Sequence, residues 1–175
     1  MVRTSADSGK SVVSWFAVTV RPQHEQTAEM GLAAKGLETY LPLYLAVRQW
    51  SDRTKKLHLP LFPGYVFCRF DRSEQTVVVQ TPGVRTVVSF GGEPAPIPEA
   101  ELDSVRKMLA SGSLVEPWPF LQGGQRIRIA SGPLNGVEGI LLETPESRRL
   151  VVSINLFQRS CAVRVDRDAV IARAS

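Results

Sequence analysis

Apolar runs separated by polar segments dominate the first 110 residues of the chain. The run VVSWFAVTV at 12–20 is rich in β-branched and aromatic residues, which predicts a buried strand. Two further runs, ETYLPLYLAVRQW at 38–50 and LFPGYVFCRF at 61–70, predict strands on either side of a polar segment. The segment at 73–90 predicts a short element, a Pro-Gly turn and a strand that ends at Phe90. The pattern therefore favours sequential strands joined by turns.

Two segments have the spacing of amphipathic helices. In the first, at 21–37, Pro22 suits a first helical position and Gly36 suits a helix end. The apolar positions that we expect to face a sheet are Ala28, Leu32 and Ala33. In the second segment, at 96–112, the apolar stripe consists of Leu102, Val105 and Leu109. Strands interleaved with two helices predict an α+β fold in which helices pack on a mainly antiparallel sheet.

The composition changes after residue 110. Residues 111–122 contain Gly, Pro and Ser and show neither helical nor strand periodicity, which predicts a flexible linker. Short strand-like runs follow at intervals of about ten residues, which predicts a small β-barrel rather than helices. Gly139 lies inside one run, where we expect a bulge or a close approach of two backbones. The predicted organisation is a disordered tail at 1–11, a sandwich domain at 12–110, the linker, and a barrel domain at 123–175.

The charge balance is compatible with a nucleic-acid partner but does not establish one. The 175-residue chain has a formal net charge of +4 and a pI of about 9.4. In residues 12–110, however, Lys and Arg outnumber Asp and Glu by only one. Neither half shows the dense basic stripe that binds phosphate backbones strongly. No apolar stretch is long enough to predict a membrane span, and Cys68 and Cys161 indicate free buried thiols in a reducing cytoplasm.

Residue patterns typical of catalytic or metal sites are missing from the sequence. The two histidines, His24 and His58, have no second His or Cys at metal-ligand spacing. No glycine-rich phosphate loop precedes a helix, and no Gly-x-Ser-x-Gly elbow is present. We therefore expect a monomeric binding protein without catalytic activity, cofactor or metal.

Several segments together resemble the NusG family. Four segments fall in the order and spacing of its N-terminal domain: WFAVTVRPQHE, YLPL, LFPGYVFCRF and TPGVRTVVSFGG. A fifth segment, GQRIRIASGPLNGVEGIL, resembles the KOW motif of its C-terminal barrel. The resemblance extends from Val12 to Ala172. It implies an N-terminal α/β sandwich, a flexible linker and a small SH3-like barrel. It also implies a transcription elongation or antitermination factor that modulates pausing and termination, with the direction of its effect on pausing left open.

The resemblance places a binding patch for RNA polymerase, which would dock on the clamp helices, at four aromatic residues: Phe62, Tyr65, Phe67 and Phe90. Tyr65 and Phe67 point to the same face, because side chains in a strand repeat every two residues. An exposed aromatic patch could grip a large partner despite the low net charge. The alternative, that these rings belong to the core, stays open. Trp15 is expected in the core.

A basic tract in or near a predicted hairpin is a second candidate site. It consists of Arg48, Arg53, Lys55, Lys56 and His58. These residues either contact non-template DNA in the transcription bubble or the opposite lobe of the polymerase, or they form a solvated hairpin tip.

In proteins that this chain resembles, the KOW barrel recruits Rho or a small-subunit ribosomal protein. The residues expected at the barrel tips for such a partner are Leu134, Asn135 and Phe157. The loop in SINLFQRSCAVRV at 153–165 is one residue longer than the SIFGR pattern of housekeeping members. It resembles specialised RfaH/UpxY-like paralogues, which leaves recruitment of either partner open.

A ribosome-associated KOW protein that binds structured RNA is the alternative hypothesis. It predicts a stronger basic bias than the N-terminal half shows. It also gives no reason for the aromatic segment. A simple interaction module is a third hypothesis that the sequence leaves open.

Overall fold

The computed structural model describes residues 12–166, 169 and 171–173, so the tail predicted at 1–11 lies outside the described residues. In chain order the helices and strands are β1 (Ser14–Val20), α1 (Glu25–Ala34), β2 (Glu38–Tyr40), β3 (Leu43–Trp50), β4 (Arg53–Pro60), β5 (Tyr65–Phe70), α2 (Gln75–Val79), β6 (Val84–Val87), β7 (Ser89–Phe90), β8 (Glu93–Pro94), β9 (Pro96–Ile97), α3 (Glu99–Ala110), β10 (Val115–Trp118), β11 (Arg126–Ile129), β12 (Glu138–Glu143), β13 (Arg148–Ile154), β14 (Arg159–Arg164) and β15 (Ile171–Arg173). Short 3₁₀ turns at Arg72–Glu74 and Asn155–Phe157 precede α2 and β14. The predicted α+β class with mainly antiparallel sheets and a β-rich C-terminal region is confirmed.

The N-terminal sheet has β1 near its centre and is apolar on both faces. Its order is β2-β5-β1-β6, β9 also pairs with β1, and these pairs are antiparallel. Trp15 and Ala17 belong to one apolar cluster. Phe16 and Val18 belong to a second cluster, together with Leu32 of α1. Because successive side chains point to opposite faces, burial of both faces explains the uninterrupted apolar run of β1.

The face that carries Trp15 packs against α3 and the C-terminal sheet, in one continuous apolar cluster. Helix α3 contributes Leu102 and Val105, as its stripe predicted, together with Met108. Leu109, predicted in the stripe, is half-buried at the cluster's margin. The predicted stripe is therefore right at its first two positions and displaced by one residue at the third.

The C-terminal sheet has six antiparallel strands in the order β10-β14-β13-β12-β11-β15. Its first strand, β10, comes from residues 111–122, where the sequence showed no strand periodicity. β10 lies at the end of the sheet order and pairs with β14 alone, which is a position where Pro117 is tolerated. A four-residue edge strand with a proline is too short for periodicity to reveal. The predicted linker therefore contains a strand, and the domain bounds stay a prediction.

The start of α1 differs from the prediction. Pro22 was expected at a first helical position, but the helix begins at Glu25. The intervening residues form a turn in which His24 N donates to Arg21 O at 3.0 Å. Gln23 has a φ of 64°, which lies in the left-handed region and is incompatible with a right-handed helix. Ala33, expected to face the sheet, is exposed.

The predicted strand at 38–50 is two strands, and the polar segment that follows it is a strand as well. A break at Leu41 and Pro42 separates β2 from β3, because a proline cannot donate to a sheet ladder. β3 leaves the N-terminal sheet and pairs with β4 along its whole length. The basic tract therefore lies on a long two-stranded hairpin.

Gly139 confirms the expected close approach of two backbones and supports a stability prediction. A Cβ built on this residue would collide with the Val151 carbonyl oxygen across the β12–β13 pair and contact Leu150. We expect Gly139→Ala to destabilise the protein by about 1–3 kcal/mol, because backbone atoms must shift to make room. Chemical denaturation measures the change. Gly123→Ala is the matched control, since its Cβ would meet nothing within 4 Å; an equal loss in both variants would contradict the prediction.

Candidate functional site

The Phe-Pro-Gly-Tyr segment forms a tight turn that leads into β5. Gly64 has a φ of 84°, a conformation that glycine adopts without steric cost. Its N–H donates to Glu25 Oε1 at 2.9 Å, and its carbonyl accepts from Val20 N at 2.9 Å. Tyr65 N donates to Phe62 O at 3.2 Å. These bonds fix the turn to β1 and α1, so the rings on either side of it have set positions.

The rings of this segment form a cluster on the face of the sheet that is directed away from α1. Tyr65 and Phe67 share that face, as the two-residue repeat predicted. Phe62 and Phe67 make an edge-to-face contact with centroids 6.0 Å apart. Both of these rings are buried, with Phe67 at 0% exposure, whereas Tyr65 is half-buried. The expectation that these rings lie open to a partner is therefore wrong for Phe62 and Phe67 in this arrangement.

Phe90 lies apart from this cluster. It is on the small β7–β8 hairpin and is 83% exposed. It takes part in none of the ring contacts found within the described residues. The structure thus brings together three of the four predicted aromatic residues and leaves the fourth on the surface.

Phe157, from the C-terminal part of the chain, covers the aromatic cluster. Its ring stacks on Tyr65 at a centroid distance of 4.4 Å and lies 5.8 Å from Phe62 and 5.9 Å from Phe67. Gln158, in the left-handed conformation, ends the 3₁₀ turn that carries it. Phe157 was predicted at a tip displayed to an outside partner, but it is only 9% exposed. The reason is that this turn faces the apolar surface of the N-terminal sheet.

The other two residues predicted at the barrel tips also face the N-terminal part. Leu134 is buried in the shared apolar cluster, which contradicts its expected display. Asn135 is exposed, and its backbone carbonyl accepts a hydrogen bond from Lys107 Nζ of α3 at 3.1 Å. A second contact between α3 and the C-terminal sheet joins Met108 Sδ and Cys161 Sγ, which lie 3.9 Å apart. The C-terminal sheet is therefore docked on α3 and on the aromatic cluster.

A carboxyl group, that of Glu101 on α3, lies where this helix meets the 3₁₀ turn that carries Phe157. Burial raises the pKa of Glu101, and hydrogen bonds from Asn155 oppose that shift in part. Its Oε2 atom is buried without a hydrogen-bond partner among the described residues. Because burial favours the neutral carboxyl, this group stabilises the arrangement most below its ordinary pKa, and that contribution is lost as the pH rises to the raised pKa.

The guanidinium of Arg106 lies between two rings at the edge of the same cluster. It is 5.0 Å from the Trp15 ring centroid and 4.9 Å from that of Tyr40. Burial raises the pKa of Tyr40 to about 12, against the opposing effect of the Arg106 charge. Trp15 is buried, as predicted. These contacts tie α3 to the sheet through charge as well as apolar packing.

The five residues of the basic tract are all exposed on the β3–β4 hairpin. The turn of this hairpin places Trp50 opposite Arg53. Trp50 is 65% exposed. The tract is therefore on the surface of the hairpin.

Known proteins match the chain along most of its length. The family model described as "Transcription termination factor nusG" matches residues 13–106, more than half of the chain. The chain belongs to the NusG family. NusG of Pseudomonas aeruginosa, named a transcription termination/antitermination protein, is 28% identical over 149 residues, covering 81% of this chain and 83% of its own. NusG of Borreliella burgdorferi, with the same name, is 25% identical over 175 residues and covers 87% and 95%.

A solved structure supports the fold of this NusG-family chain. This structure, described as "Domain interaction in Thermotoga maritima NusG", aligns with a TM-score of 0.52 at 22% identity. The alignment covers 94% of this chain and 98% of the Thermotoga chain. The likeness extends over both sheets, so the N-terminal sandwich and the C-terminal β-rich part together have the NusG fold.

The cysteines of this NusG-family chain are free thiols, and searches of its described residues found neither a metal-binding cluster nor a membrane-spanning helix. Cys68 and Cys161 are free and buried, as predicted, and burial raises the pKa of each thiol to about 12. Within the described residues no cluster of His, Cys, Asp and Glu could hold a metal ion. A search of the same residues found no helix long and apolar enough to cross a membrane.

Sequence reasoning missed three residues that matter for these surfaces. Glu25 accepts a hydrogen bond from Gly64 N, and no local signal indicates that contact. Arg106 contacts the rings of Trp15 and Tyr40, and these contacts arise from the tertiary fold. Trp50 could have been found, because alternation along β3 places it on the same face as Arg48.

Proposed function

We propose that this NusG-family protein is a transcription elongation and antitermination factor that binds RNA polymerase at the clamp helices through Phe62, Tyr65, Phe67 and Phe90. The observation that supports this proposal is the aromatic cluster on the face of the N-terminal sheet that is directed away from α1. Phe157, from the 3₁₀ turn that precedes β14, covers the rings of this cluster. A surface of this composition suits a helical partner with apolar side chains.

Binding through this cluster requires the C-terminal sheet to leave it. Phe62 and Phe67 cannot contact a polymerase while Phe157 lies against them. Phe90 is accessible in the docked arrangement and would make the first contact. The protein would then act by holding the polymerase in an elongating state, which is a population shift that needs no catalysis.

Release of the C-terminal sheet would also expose the residues proposed for a second partner. Leu134, Asn135 and Phe157 would become available to Rho or to a small-subunit ribosomal protein in the cytoplasm. Tethering would raise the concentration of that partner near the transcript. The basic tract is proposed to contact non-template DNA or the opposite polymerase lobe through Arg48, Arg53, Lys55, Lys56 and His58.

The test is binding of purified bacterial core RNA polymerase without nucleic acid. We expect Phe90→Ala to weaken binding by about tenfold, because a lost aromatic anchor typically costs more than 1 kcal/mol. Thermal melts should not change, since the ring is exposed. Met30→Ala is the matched control, because Met30 on α1 is 71% exposed on the other side of the sheet.

Absence of polymerase binding by the unmodified protein would refute the proposal. In that case, tight and salt-sensitive binding to ribosomal RNA would favour the alternative, a ribosome-associated KOW protein. Equal affinity of the Phe90 variant and the unmodified protein would remove Phe90 from the patch. A loss in the Met30 variant as large as in the Phe90 variant would contradict the assigned face.

A further inference from the structure

A cavity of about 660 Å³ lies between α3 and the C-terminal sheet, and we call it the interface cavity. One face of α3 forms its first wall through Ala100, Asp103, Ser104 and Lys107, which follow one another at the three- and four-residue intervals of a helix face. The opposite wall consists of residues from β11, β12 and β13 and from the segments beside them. The volume lies in the range of sites that hold small molecules.

We propose that the interface cavity binds a small phosphate-bearing anion, a polyphosphate or a nucleotide, through Lys107 of α3 and through Arg126 and Arg128 of β11. Because these cationic side chains come from both walls, the anion binds only the docked arrangement. It therefore holds the protein with its aromatic cluster covered and weakens polymerase binding. This regulatory step rests on the proposed function, whereas the binding site itself does not.

Free hydrogen-bond donors on the three cationic residues are the first observation. The guanidinium of Arg126 forms no ion pair or hydrogen bond with the described residues, so all its N–H groups are available. Lys107 uses one N–H on the Asn135 carbonyl and keeps the others. Arg128 pairs with Glu138 through Nε and Nη2, which leaves Nη1. Guanidinium and ammonium groups are the side chains that hold phosphate oxygens most strongly.

The acidic residues that line the interface cavity are offset by other contacts, which is the second observation. Asp103 pairs with Arg106 at 2.7 Å, and Glu138 pairs with Arg128. Burial raises the pKa of Glu101, so the charged form of this carboxyl is disfavoured. The two remaining cationic side chains therefore give the cavity its positive sign.

The third observation is that two polar contacts join α3 to the C-terminal part along the interface cavity. Asn155 Nδ2 donates to Glu101 Oε1 at 3.5 Å, and Lys107 Nζ donates to Asn135 O at 3.1 Å. Six residues separate Glu101 from Lys107, which is about 9 Å along a helix. The two walls are thus held together only while the C-terminal sheet is docked. A ligand that contacts both walls stabilises that arrangement by mass action.

The experiment titrates the full chain with sodium tripolyphosphate by isothermal titration calorimetry, without polymerase or divalent cations. We expect saturable binding, and we expect Arg126→Gln and Lys107→Gln each to weaken it about 10- to 100-fold through loss of a charge-assisted hydrogen bond. Sodium sulfate at the same ionic strength should bind about tenfold more weakly, because a single tetrahedral anion offers fewer oxygens to the two walls. A parallel titration with ATP distinguishes the sources of phosphate: tighter binding than tripolyphosphate indicates a nucleotide, and weaker binding indicates an inorganic polyphosphate.

Arg85→Gln is the matched control, because Arg85 is exposed on β6 and does not line the interface cavity. It should bind tripolyphosphate as the unmodified protein does, and thermal melts without ligand should be the same for all three variants. Three results would overturn the inference: no binding by the unmodified protein at low ionic strength, equal losses in the Arg85 and Arg126 variants, or a loss confined to the variant of one wall.

Regulation is measured separately, as the affinity for core RNA polymerase with and without tripolyphosphate. We expect tripolyphosphate to weaken polymerase binding by the unmodified protein and to have little effect on Arg126→Gln. An equal effect on both proteins would overturn the regulatory step, since the anion would then act on the polymerase. Absence of polymerase binding would remove the proposed function and leave the calorimetric result standing. Absence of tripolyphosphate binding would remove the site and leave polymerase binding standing.

Discussion

Replacing Phe67 with alanine is expected to destabilise the protein by about 3–5 kcal/mol. The ring is 0% exposed, and it contacts rings from three other parts of the chain: Tyr40, Phe62 and Phe157. Removing it deletes buried apolar area and leaves a cavity among neighbours fixed by strand pairing. Urea denaturation followed by circular dichroism measures the loss. A change of this size is a large fraction of the stability of a small protein.

Phe90→Ala is the matched control, because it removes the same side chain from an 83% exposed position. We expect that variant to stay within about 0.5 kcal/mol of the unmodified protein, as surface substitutions usually do. A loss of less than 1 kcal/mol for Phe67→Ala would mean that the C-terminal sheet is undocked in solution and that the ring is solvated there. The pair of variants thus tests which rings of the predicted patch are structural in the docked protein.

The local fold was predictable from the sequence where a pattern repeats along one element. The apolar run of β1, the start of the stripe on α3 and the shared face of Tyr65 and Phe67 follow from periods of 2 and 3.6 residues. Breaks within elements were less visible. Pro42 splits one predicted strand in two, and the four residues of β10 are too few to show a period.

The candidate site was predictable in its residues but not in its surroundings. The motif around Tyr65 indicated the aromatic segment, whereas contact with Phe157 joins residues 92 positions apart in the sequence. No local pattern encodes a contact of that separation. Leu134 was expected at an exposed barrel tip, and its burial depends on the docked N-terminal part. Alternation alone would have placed Trp50 beside Arg48, so that feature was available and unused.

Phe157→Ala is expected to raise the affinity of the protein for core RNA polymerase by about 10- to 100-fold. The Phe157 ring covers Phe62, Tyr65 and Phe67, which are the proposed polymerase contacts. Deleting a buried phenylalanine costs the docked arrangement about 3 kcal/mol or more. The apparent dissociation constant falls as the fraction of binding-competent protein rises, and the gain ends when the protein is fully open. Equilibrium binding to nucleic-acid-free polymerase measures the effect.

A gain in polymerase affinity would show that Phe157 covers the binding site and is not part of it. Phe157→Leu keeps a bulky apolar side chain on Tyr65 and should give a smaller gain, while Met30→Ala should give none because Met30 lies on an exposed part of α1. A lower affinity after Phe157→Ala, with melts that show a folded protein, would contradict the proposal and make Phe157 a polymerase contact. Unchanged affinity would mean that the docked arrangement is not the dominant state. Higher affinity from a substitution that removes an aromatic ring is an outcome that only competition for the cluster explains, because loss of a contact can only weaken direct binding.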